Sequence, residues 1–266
     1  MKILRTRKEF SAWRSQKKFN HKSIGFIPTM GALHAGHLSL VSHSRKQNDL
    51  TVVSIFVNPT QFGPKEDLKK YPRTEVADLD LLRKSKVDAV FLPRSVKEIY
   101  LLKDETKIQP RSSLTNILEG RFRPGHFEGV VTVVFKLFSI VRPARAYFGE
   151  KDYQQLQVIK AMVEDLFLPI QIIPVKTYRE KSGLAMSSRN RYLDSKSFKS
   201  AADLYKVMKA SNTLSEARKK LSLLGFKLQY LENWNDDLSA SRAGNKGRWL
   251  VAAFYKNIRL IDNQKK

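Results

Sequence analysis

Hydrophobic positions along the chain alternate between short β-rich runs and longer segments with apolar residues three and four positions apart. This alternation is typical of a parallel sheet whose strands are joined by crossover helices. It predicts strands at 24–28, 51–57, 88–92, 144–148 and 170–175, and helices at 36–47, 73–84, 127–141 and 153–167. We therefore expect an α/β fold built on a Rossmann-like parallel sheet with crossover helices.

The hydrophobic pattern changes after residue 190, where the chain also becomes more basic. It predicts helices at 195–211 and 214–224, followed by two β-like apolar runs at 227–231 and 249–260. We expect two domains, a Rossmann-like domain at residues 1–180 and a smaller C-terminal α+β domain at residues 181–266.

The composition of the chain excludes several classes of protein and several kinds of catalytic chemistry. With 42% hydrophobic and 28% charged residues, the chain has the composition of a folded protein. The apolar run at 129–141 is broken by Lys136 and is too short to cross a bilayer, so we expect no membrane partner. The basic start lacks the apolar stretch of a signal peptide, which favours a cytoplasmic location. The absence of cysteine excludes disulfides, thiolate nucleophiles and cysteine-ligated metals.

The chain carries 49 Lys and Arg against 25 Asp and Glu, a net charge of +24. This charge attracts phosphate-bearing partners, which include nucleotides and nucleic acids alike. Most of the excess lies at the two ends of the chain, where it is also typical of a highly charged soluble surface. A nucleic-acid-binding protein interleaves aromatic residues with Lys and Arg, whereas Trp13, Trp234 and Trp249 lie far apart in sequence. We therefore expect no nucleic-acid partner.

The sharpest local motif is the segment PTMGALHAGH at 28–37, which follows the first predicted strand and leads into the first predicted helix. Such a junction favours phosphate, because free backbone N–H groups and the helix dipole point at it. His34 and His37 are three residues apart and can face the same anion. Gly31 and Gly36 provide backbone freedom or close approach. The motif predicts a phosphate site.

Ser187, Ser188 and Arg189 form a second candidate phosphate site, with two hydroxyl donors and a guanidinium in one short loop. The Ser-Ser-Arg sequence also occurs in ordinary turns, so the loop alone is weak support. Together with the histidine motif it predicts that two distant segments bind one ligand.

Polar side chains also follow other predicted strands, at the sheet edge where ligands of open α/β folds bind. Asn58 and Gln61 come after the second strand, and Lys151, Asp152 and Gln155 come after the fourth. Surface alternatives remain open, because Lys151 and Asp152 can form a solvent-exposed ion pair and Gln155 can face water.

Arg123 precedes the third predicted helix within the segment RPGHF. The neighbouring Pro and Gly can also serve simply to start that helix.

Six segments, in this order and spacing, carry a resemblance to a known family: IPTMGALHAGH, VSIFVNPTQF, YPRT, RPGHFEGVVTVV, YFGEKDYQQL and GLAMSSRNRYL. They resemble pantothenate synthetases, the pantoate–beta-alanine ligases of the nucleotidylyltransferase superfamily. The resemblance is dense over residues 24–194, and the closing LVAAFYKNIRLIDN is similar to the end of that family. His-x-Gly-His alone marks only the superfamily, whereas its combination with NPTQF, GEKDYQQ and MSSRN indicates this family.

The resemblance implies ATP-dependent condensation of pantoate with beta-alanine to pantothenate, through a pantoyl adenylate and with release of AMP and pyrophosphate. It also implies a homodimer and a requirement for Mg2+. The ion is expected to stay on phosphate oxygens and water, so no dense cage of protein carboxylates is expected. Residues 1–180 would then bind the nucleotide and pantoate.

The resemblance also assigns residues to each part of the substrates. The phosphate chain would contact His34, His37, Lys151, Ser187, Ser188 and Arg189. The remaining ATP contacts would come from Met30, Gly149, Asp152 and Met186, with Met30 where the two substrates meet. Pantoate would bind Gln61 and Gln155, with Asn58 and Arg123 nearby.

A related reaction, nucleotidyl transfer to a phosphate monoester, is the alternative that the His-x-Gly-His motif leaves open. That reaction predicts extra cations in the acceptor pocket, where this sequence offers Asn58, Gln61 and Gln155. The neutral amides therefore favour the ligase reaction.

Overall fold

The computed structural model describes residues 1–64, 66–102, 104–240 and 247–266. Within them, one parallel sheet contains β1 (Lys2–Leu4), β2 (Ile24–Thr29), β3 (Leu50–Ile55), β4 (Ala89–Phe91), β5 (Arg145–Gly149) and β6 (Gln171–Val175). An antiparallel sheet contains β7 (Phe226–Trp234), β8 (Arg248–Tyr255) and β9 (Ile258–Lys265). The expected Rossmann-like α/β fold with a smaller C-terminal α+β part is confirmed.

Helices pack on both faces of the parallel sheet and against the antiparallel one. They are α1 (Arg7–Arg14), α2 (Ala35–Gln47), α3 (Glu75–Lys84), α4 (Ser112–Thr115), α5 (Leu118–Phe122), α6 (His126–Val141), α7 (Tyr153–Asp165), α8 (Ser195–Ala201), α9 (Asp203–Ala210) and α10 (Leu214–Leu223). None of those in the described part of the chain is both long and apolar enough to cross a bilayer.

The inner strands β2, β3 and β4 are mostly apolar because both of their faces are buried. In β2, Phe26 points into the apolar cluster formed with α1, α6 and α7, while the next residue, Ile27, points into the cluster formed with α2 and α3. A third cluster, from Leu184 to Leu260, joins α8, α9 and α10 to the antiparallel sheet. The domain boundary near residue 180 stays a prediction.

The order of strands places a crevice between β2 and β5. The sheet runs β1-β4-β3-β2-β5-β6, so the chain leaves β2 toward β3 on one side and leaves β5 toward β6 on the other. Among the described residues, pairing of β2 with β5 is confined to Gly25 with Arg145 and Phe26 with Ala146. The two strands therefore part toward their carboxyl ends, which is where open α/β sheets bind ligands.

Two predicted elements of the C-terminal part are wrong in their extent. The run at 249–260 is two strands, β8 and β9, joined by a two-residue turn in which Lys256 has a φ of 51°. The helix predicted at 195–211 is two helices that meet at Ala202. The short edge strand β1 and helix α1 were not predicted, and neither were the short helices α4 and α5 that precede α6.

Candidate active site

A cavity of about 250 Å³ opens at the carboxyl edge of the sheet between β2 and β5. All candidate site residues from the sequence line it: Met30, His34, His37, Asn58, Gln61, Arg123, Gly149, Lys151, Asp152, Gln155, Met186, Ser187, Ser188 and Arg189. The imidazole pair and the Ser-Ser-Arg loop therefore face one space, although they are far apart in the chain. The role of each residue remains a prediction.

The two histidines cap the N-terminus of α2 with their Nδ1 atoms. Gly36 donates its N–H to Nδ1 of His34 at 3.2 Å, and His34 donates its own N–H to Nδ1 of His37 at 3.3 Å. The ring centroids are 4.1 Å apart. Because each Nδ1 accepts a hydrogen bond, each neutral ring carries its proton on Nε2. Both rings can therefore donate an Nε2–H to a ligand.

The surroundings keep both imidazoles uncharged at neutral pH. Burial, reinforced by the charge of Lys151, lowers the pKa of His34 to about 4. Burial, reinforced by His34 and Lys151, lowers the pKa of His37 to about 3. The pair can therefore offer a ligand hydrogen bonds rather than positive charge.

The glycines of this motif have the expected roles. Gly31 has a φ of +81°, in the left-handed region, and a Cβ on Gly36 would lie 2.9 Å from the ring of His34. Gly36 thus allows the close approach that brings the imidazole over the start of α2.

The expectation of free backbone N–H groups before α2 is wrong, because the protein itself uses most of these donors. Asp78 of α3, which is 1% exposed, accepts the N–H groups of Ala32 at 2.9 Å and Leu33 at 2.8 Å. Further donors taken by side chains are those of Gly31, His34 and Gly36. Asp78 was not predicted, although a carboxylate on the apolar face of α3 is a detectable signal.

The Ser-Ser-Arg loop forms a 3-10 turn capped by Ser187, whose Oγ accepts the N–H of Arg189 at 3.3 Å. Ser188 Oγ lies 3.3 Å from the hydroxyl of Tyr71. Arg189 donates two hydrogen bonds to Asp67, at 3.0 and 2.8 Å. Burial lowers the pKa of Arg189, but the hydrogen bonds and charge of Asp67 outweigh it and the pKa is raised. The guanidinium is therefore held as a fixed cation.

The turn after β5 brings Lys151 and Asp152 to the wall of the same cavity. Lys151 Nζ lies 3.4 Å from Asp152 Oδ1, and its side chain is only 18% exposed. The charge of Lys151 helps to lower the pKa of both histidines, and the charge of Asp152 helps to raise the pKa of Arg189. The alternative of a wholly solvent-exposed ion pair is thus wrong for Lys151.

Only one of two consecutive glutamines at the start of α7 lines this cavity. Gln154 is 3% exposed and bonds the ends of α4 and α5, donating to the carbonyls of Leu114 at 2.7 Å and Ile117 at 2.9 Å. Gln155 is half-buried and forms part of the cavity wall. Its position fits the predicted ligand contact.

The amide side of the cavity is organised by Asn58, which is 1% exposed. Its Nδ2 donates to Gln61 Oε1 at 3.2 Å and to the Gly129 carbonyl at 3.1 Å, and its Oδ1 accepts from the hydroxyl of Tyr100 at 2.9 Å. Gln61 Nε2 in turn lies 3.0 Å from Met30 Sδ. Asn58 therefore holds Gln61 in place, and its own amide is engaged with protein atoms.

Arg123 is held by groups that sequence reasoning did not single out. It donates to both carboxylate oxygens of Glu66, at 2.7 and 2.6 Å, and to His126 Nε2 at 3.0 Å. His126 Nδ1 in turn donates to the carbonyl of Gln61 at 2.7 Å. Burial, reinforced by the charge of Arg123, lowers the pKa of His126 to about 4. His126 lies in the same RPGHF segment as Arg123, and this position could have identified it from the sequence.

The comparisons with known proteins decide between the reactions that this cavity could support. A family model described as Pantoate-beta-alanine ligase matches residues 2–265. The chain belongs to the pantoate–beta-alanine ligase family. It is 46% identical over 261 residues to the pantothenate synthetase of Bdellovibrio bacteriovorus, covering 98% of each chain.

Solved structures of similar ligases have the same fold. The pantothenate synthetase of Thermus thermophilus has a TM-score of 0.92 and 41% identity, with 100% of this chain and 99% of that chain covered. The pantoate–beta-alanine ligase of Francisella tularensis, solved in complex with beta-gamma ATP and beta-alanine, has a TM-score of 0.89 and 41% identity, with coverage of 100% and 97%. The chain is thus a pantoate–beta-alanine ligase.

The charge of the cavity wall in this ligase suits anionic substrates. The wall carries the cations Arg123, Lys151, Lys176 and Arg189 and one described carboxylate, Asp152, while Glu66 and Asp67, outside this lining, pair with Arg123 and Arg189. The described residues contain no group of three or more side chains arranged to hold a metal ion. The wall can therefore bind a polyphosphate and a carboxylic acid together.

Proposed function

We propose that this ligase joins pantoate to beta-alanine at the expense of ATP, through a pantoyl adenylate. A carboxylate oxygen of pantoate attacks the α-phosphorus and pyrophosphate leaves. The amine of beta-alanine then attacks the pantoyl carbonyl carbon, AMP leaves and the amine loses a proton. The observation that carries the proposal is the presence of phosphate-binding groups and neutral amides in one cavity. The complex of the Francisella tularensis relative supports two of the substrates.

The phosphate chain of ATP binds between the two segments predicted from the sequence. His34 and His37 donate their Nε2–H groups to the phosphates. Lys151 supplies a positive charge, whose stabilising effect increases as negative charge develops on the departing pyrophosphate. The Ser187 and Ser188 hydroxyls and the Arg189 guanidinium hold the opposite side. Fixed donors of this kind lower the barrier by positioning, with little covalent chemistry from the protein.

The rest of ATP extends along the turn after β5 and the segment before the Ser-Ser-Arg loop. Gly149 and Asp152 contact the ribose, and Met186 lies against the adenosine. Met30 lies where pantoate and ATP meet, next to the amide of Gln61.

Pantoate binds through the amides of Gln61 and Gln155. Neutral amides recognise hydroxyl and carboxylate groups without neutralising the attacking oxygen, which a close cation would make less nucleophilic. Arg123 lies near this site, but its charge is compensated by Glu66. Asn58 acts behind Gln61 as a positioning residue.

Mg2+ fits this site as an ion carried by ATP. Phosphate oxygens and water satisfy its preference for oxygen ligands, and Asp152, 45% exposed, is the carboxylate that the described cavity wall offers. When bound, the ion would neutralise charge on the phosphates.

The family resemblance also supports a homodimer in the cytoplasm. Light scattering after size-exclusion chromatography is expected to give about twice the monomer mass of 30.6 kDa. A monomer at micromolar concentration would contradict the homodimer.

Exchange of labelled pyrophosphate into ATP tests the proposed reaction. We expect exchange that requires pantoate and does not require beta-alanine, because adenylate formation reverses before the amine enters. Exchange driven by a phosphate monoester and not by pantoate would instead support nucleotidyl transfer. Exchange without any acid, or none with pantoate, would contradict the proposal.

A further inference from the structure

The last strand of the antiparallel sheet reaches the turn that carries Lys151. Asn263 of β9 is 5% exposed, and its Nδ2 donates to the carbonyl oxygens of Glu150 at 2.7 Å and Lys151 at 3.2 Å. The C-terminal sheet thus binds the backbone of a turn that follows a strand of the parallel sheet. This contact fixes the two peptide groups from which the Lys151 side chain extends.

The orientation of the Asn263 amide is set by Arg248 of β8. Arg248 donates from Nη1 to Asn263 Oδ1 at 2.7 Å, and its guanidinium lies 3.9 Å from the ring centroid of Tyr153. Because a guanidinium has only donors, Oδ1 must face it, which leaves Nδ2 for the two carbonyls. A carboxylate at this position would satisfy Arg248 but would oppose both carbonyl oxygens.

The adjacent residue holds the other phosphate-binding segment. Asp262 is 4% exposed and accepts two hydrogen bonds from Arg179, at 2.7 and 2.9 Å. The backbone of Arg179 bridges to Ala185, which lies shortly before Ser187. Two consecutive residues of β9 therefore secure both sides of the crevice, the Lys151 turn directly and the Ser-Ser-Arg loop through Arg179.

We propose that Asn263 is a positioning residue for ligation, acting through Lys151. It does not line the cavity, so it has no substrate contact of its own among the described residues. Its effect is to keep the Lys151 ammonium where the departing pyrophosphate develops charge. The inference rests on the proposed role of Lys151 in the ligase reaction.

A double-mutant cycle tests this role by pantoate-dependent pyrophosphate exchange. We expect Asn263→Asp to lower kcat on the order of 100-fold, since small misplacements of catalytic groups have effects of this size. The KM for pantoate should change little, because Gln61 and Gln155 are not held by Asn263. In a Lys151→Ala background, the same change should lower kcat by less than about twofold, because the ammonium group that Asn263 positions is already absent.

Gln264→Glu is the matched control, with the same chemical change one residue further along β9. The Gln264 amide donates to the carbonyl of Lys265, away from the turn. This variant should keep wild-type exchange. Asn263→Ala, which removes the donor without adding charge, gives the same cycle if Asn263→Asp does not fold.

Each outcome separates this inference from the proposed function. A decrease in kcat of the same size with Lys151 present and with Lys151→Ala would show a structural effect that is independent of Lys151, and it would overturn the proposal. Wild-type exchange by Asn263→Asp or Asn263→Ala would also overturn it while leaving the ligase reaction intact. Absence of pantoate-dependent exchange in the unmodified protein would refute the proposed reaction, and the positioning role with it.

Discussion

Removal of the Lys151 side chain tests the phosphate site, and among the described residues its hydrogen bond goes to the neighbouring Asp152. We expect Lys151→Ala to slow pyrophosphate exchange about 100-fold, or about 3 kcal/mol of transition-state stabilisation. The midpoint of thermal unfolding should stay close to that of the unmodified protein. Lys181→Ala, at an exposed position, is the control and should keep full exchange. Unchanged exchange by Lys151→Ala would remove this residue from the mechanism.

At the residue scale, sequence patterns predicted which side chains meet, but not what holds them. Arg189 was predicted, whereas its partner Asp67 was not, because the two are 122 positions apart and no spacing connects them. Asn58 was predicted to lie near the ligand, and only the structure shows that its amide is engaged with protein groups. Hydrogen-bond partners of this kind depend on tertiary packing.

At the scale of elements, the junction between β2 and α2 depends on one buried carboxylate of α3. Asp78 accepts the N–H groups of Ala32 and Leu33 and the hydroxyl of Thr74. We expect Asp78→Ala to lower the free energy of unfolding by about 3 kcal/mol, because two buried donors lose a charged acceptor. Chemical denaturation measures this loss.

Asp80→Ala is the control for this change, since Asp80 is exposed on the same helix. It should alter the free energy of unfolding by less than about 0.5 kcal/mol. Equal losses in the two variants would show that Asp78 has no special role at the junction.

The strands and helices around the crevice were predictable because long apolar runs and helical periodicity agree there. The hairpin of β8 and β9 was not, because its turn consists of Lys256 and Asn257 without the glycine that usually marks such turns. The predicted β-like run therefore extended through the turn, although both turn residues are polar. The split at Ala202 was hidden for the same reason, since alanine does not mark the end of a helix.

For the whole molecule, three histidines that their surroundings keep neutral predict that stability depends on pH. The folded-state pKa is about 4 for His34, about 3 for His37 and about 4 for His126, all below the ordinary 6.5. Below pH 6.5 the unfolded chain binds protons at these positions that the folded chain does not. The free energy of unfolding should therefore fall as pH decreases from 6.5 to 4.5, by up to about 1.4 kcal/mol per unit for each histidine.

Denaturation at several pH values measures this slope. His37→Gln should reduce the slope by one of the three contributions, whereas His43→Gln, at an exposed position of the same helix, should leave it as it is. A free energy of unfolding that does not change between pH 6.5 and 4.5 would contradict the burial of neutral imidazoles.

In the whole molecule, segments from both parts of the chain are proposed to bind one phosphate chain. A crystal structure of the protein with a non-hydrolysable ATP analogue tests this arrangement. We expect the Nε2 atoms of His34 and His37 and the guanidinium of Arg189 to lie within hydrogen-bond distance of the same phosphate chain. Phosphates bound at only one of these two segments, or outside the crevice between β2 and β5, would contradict it.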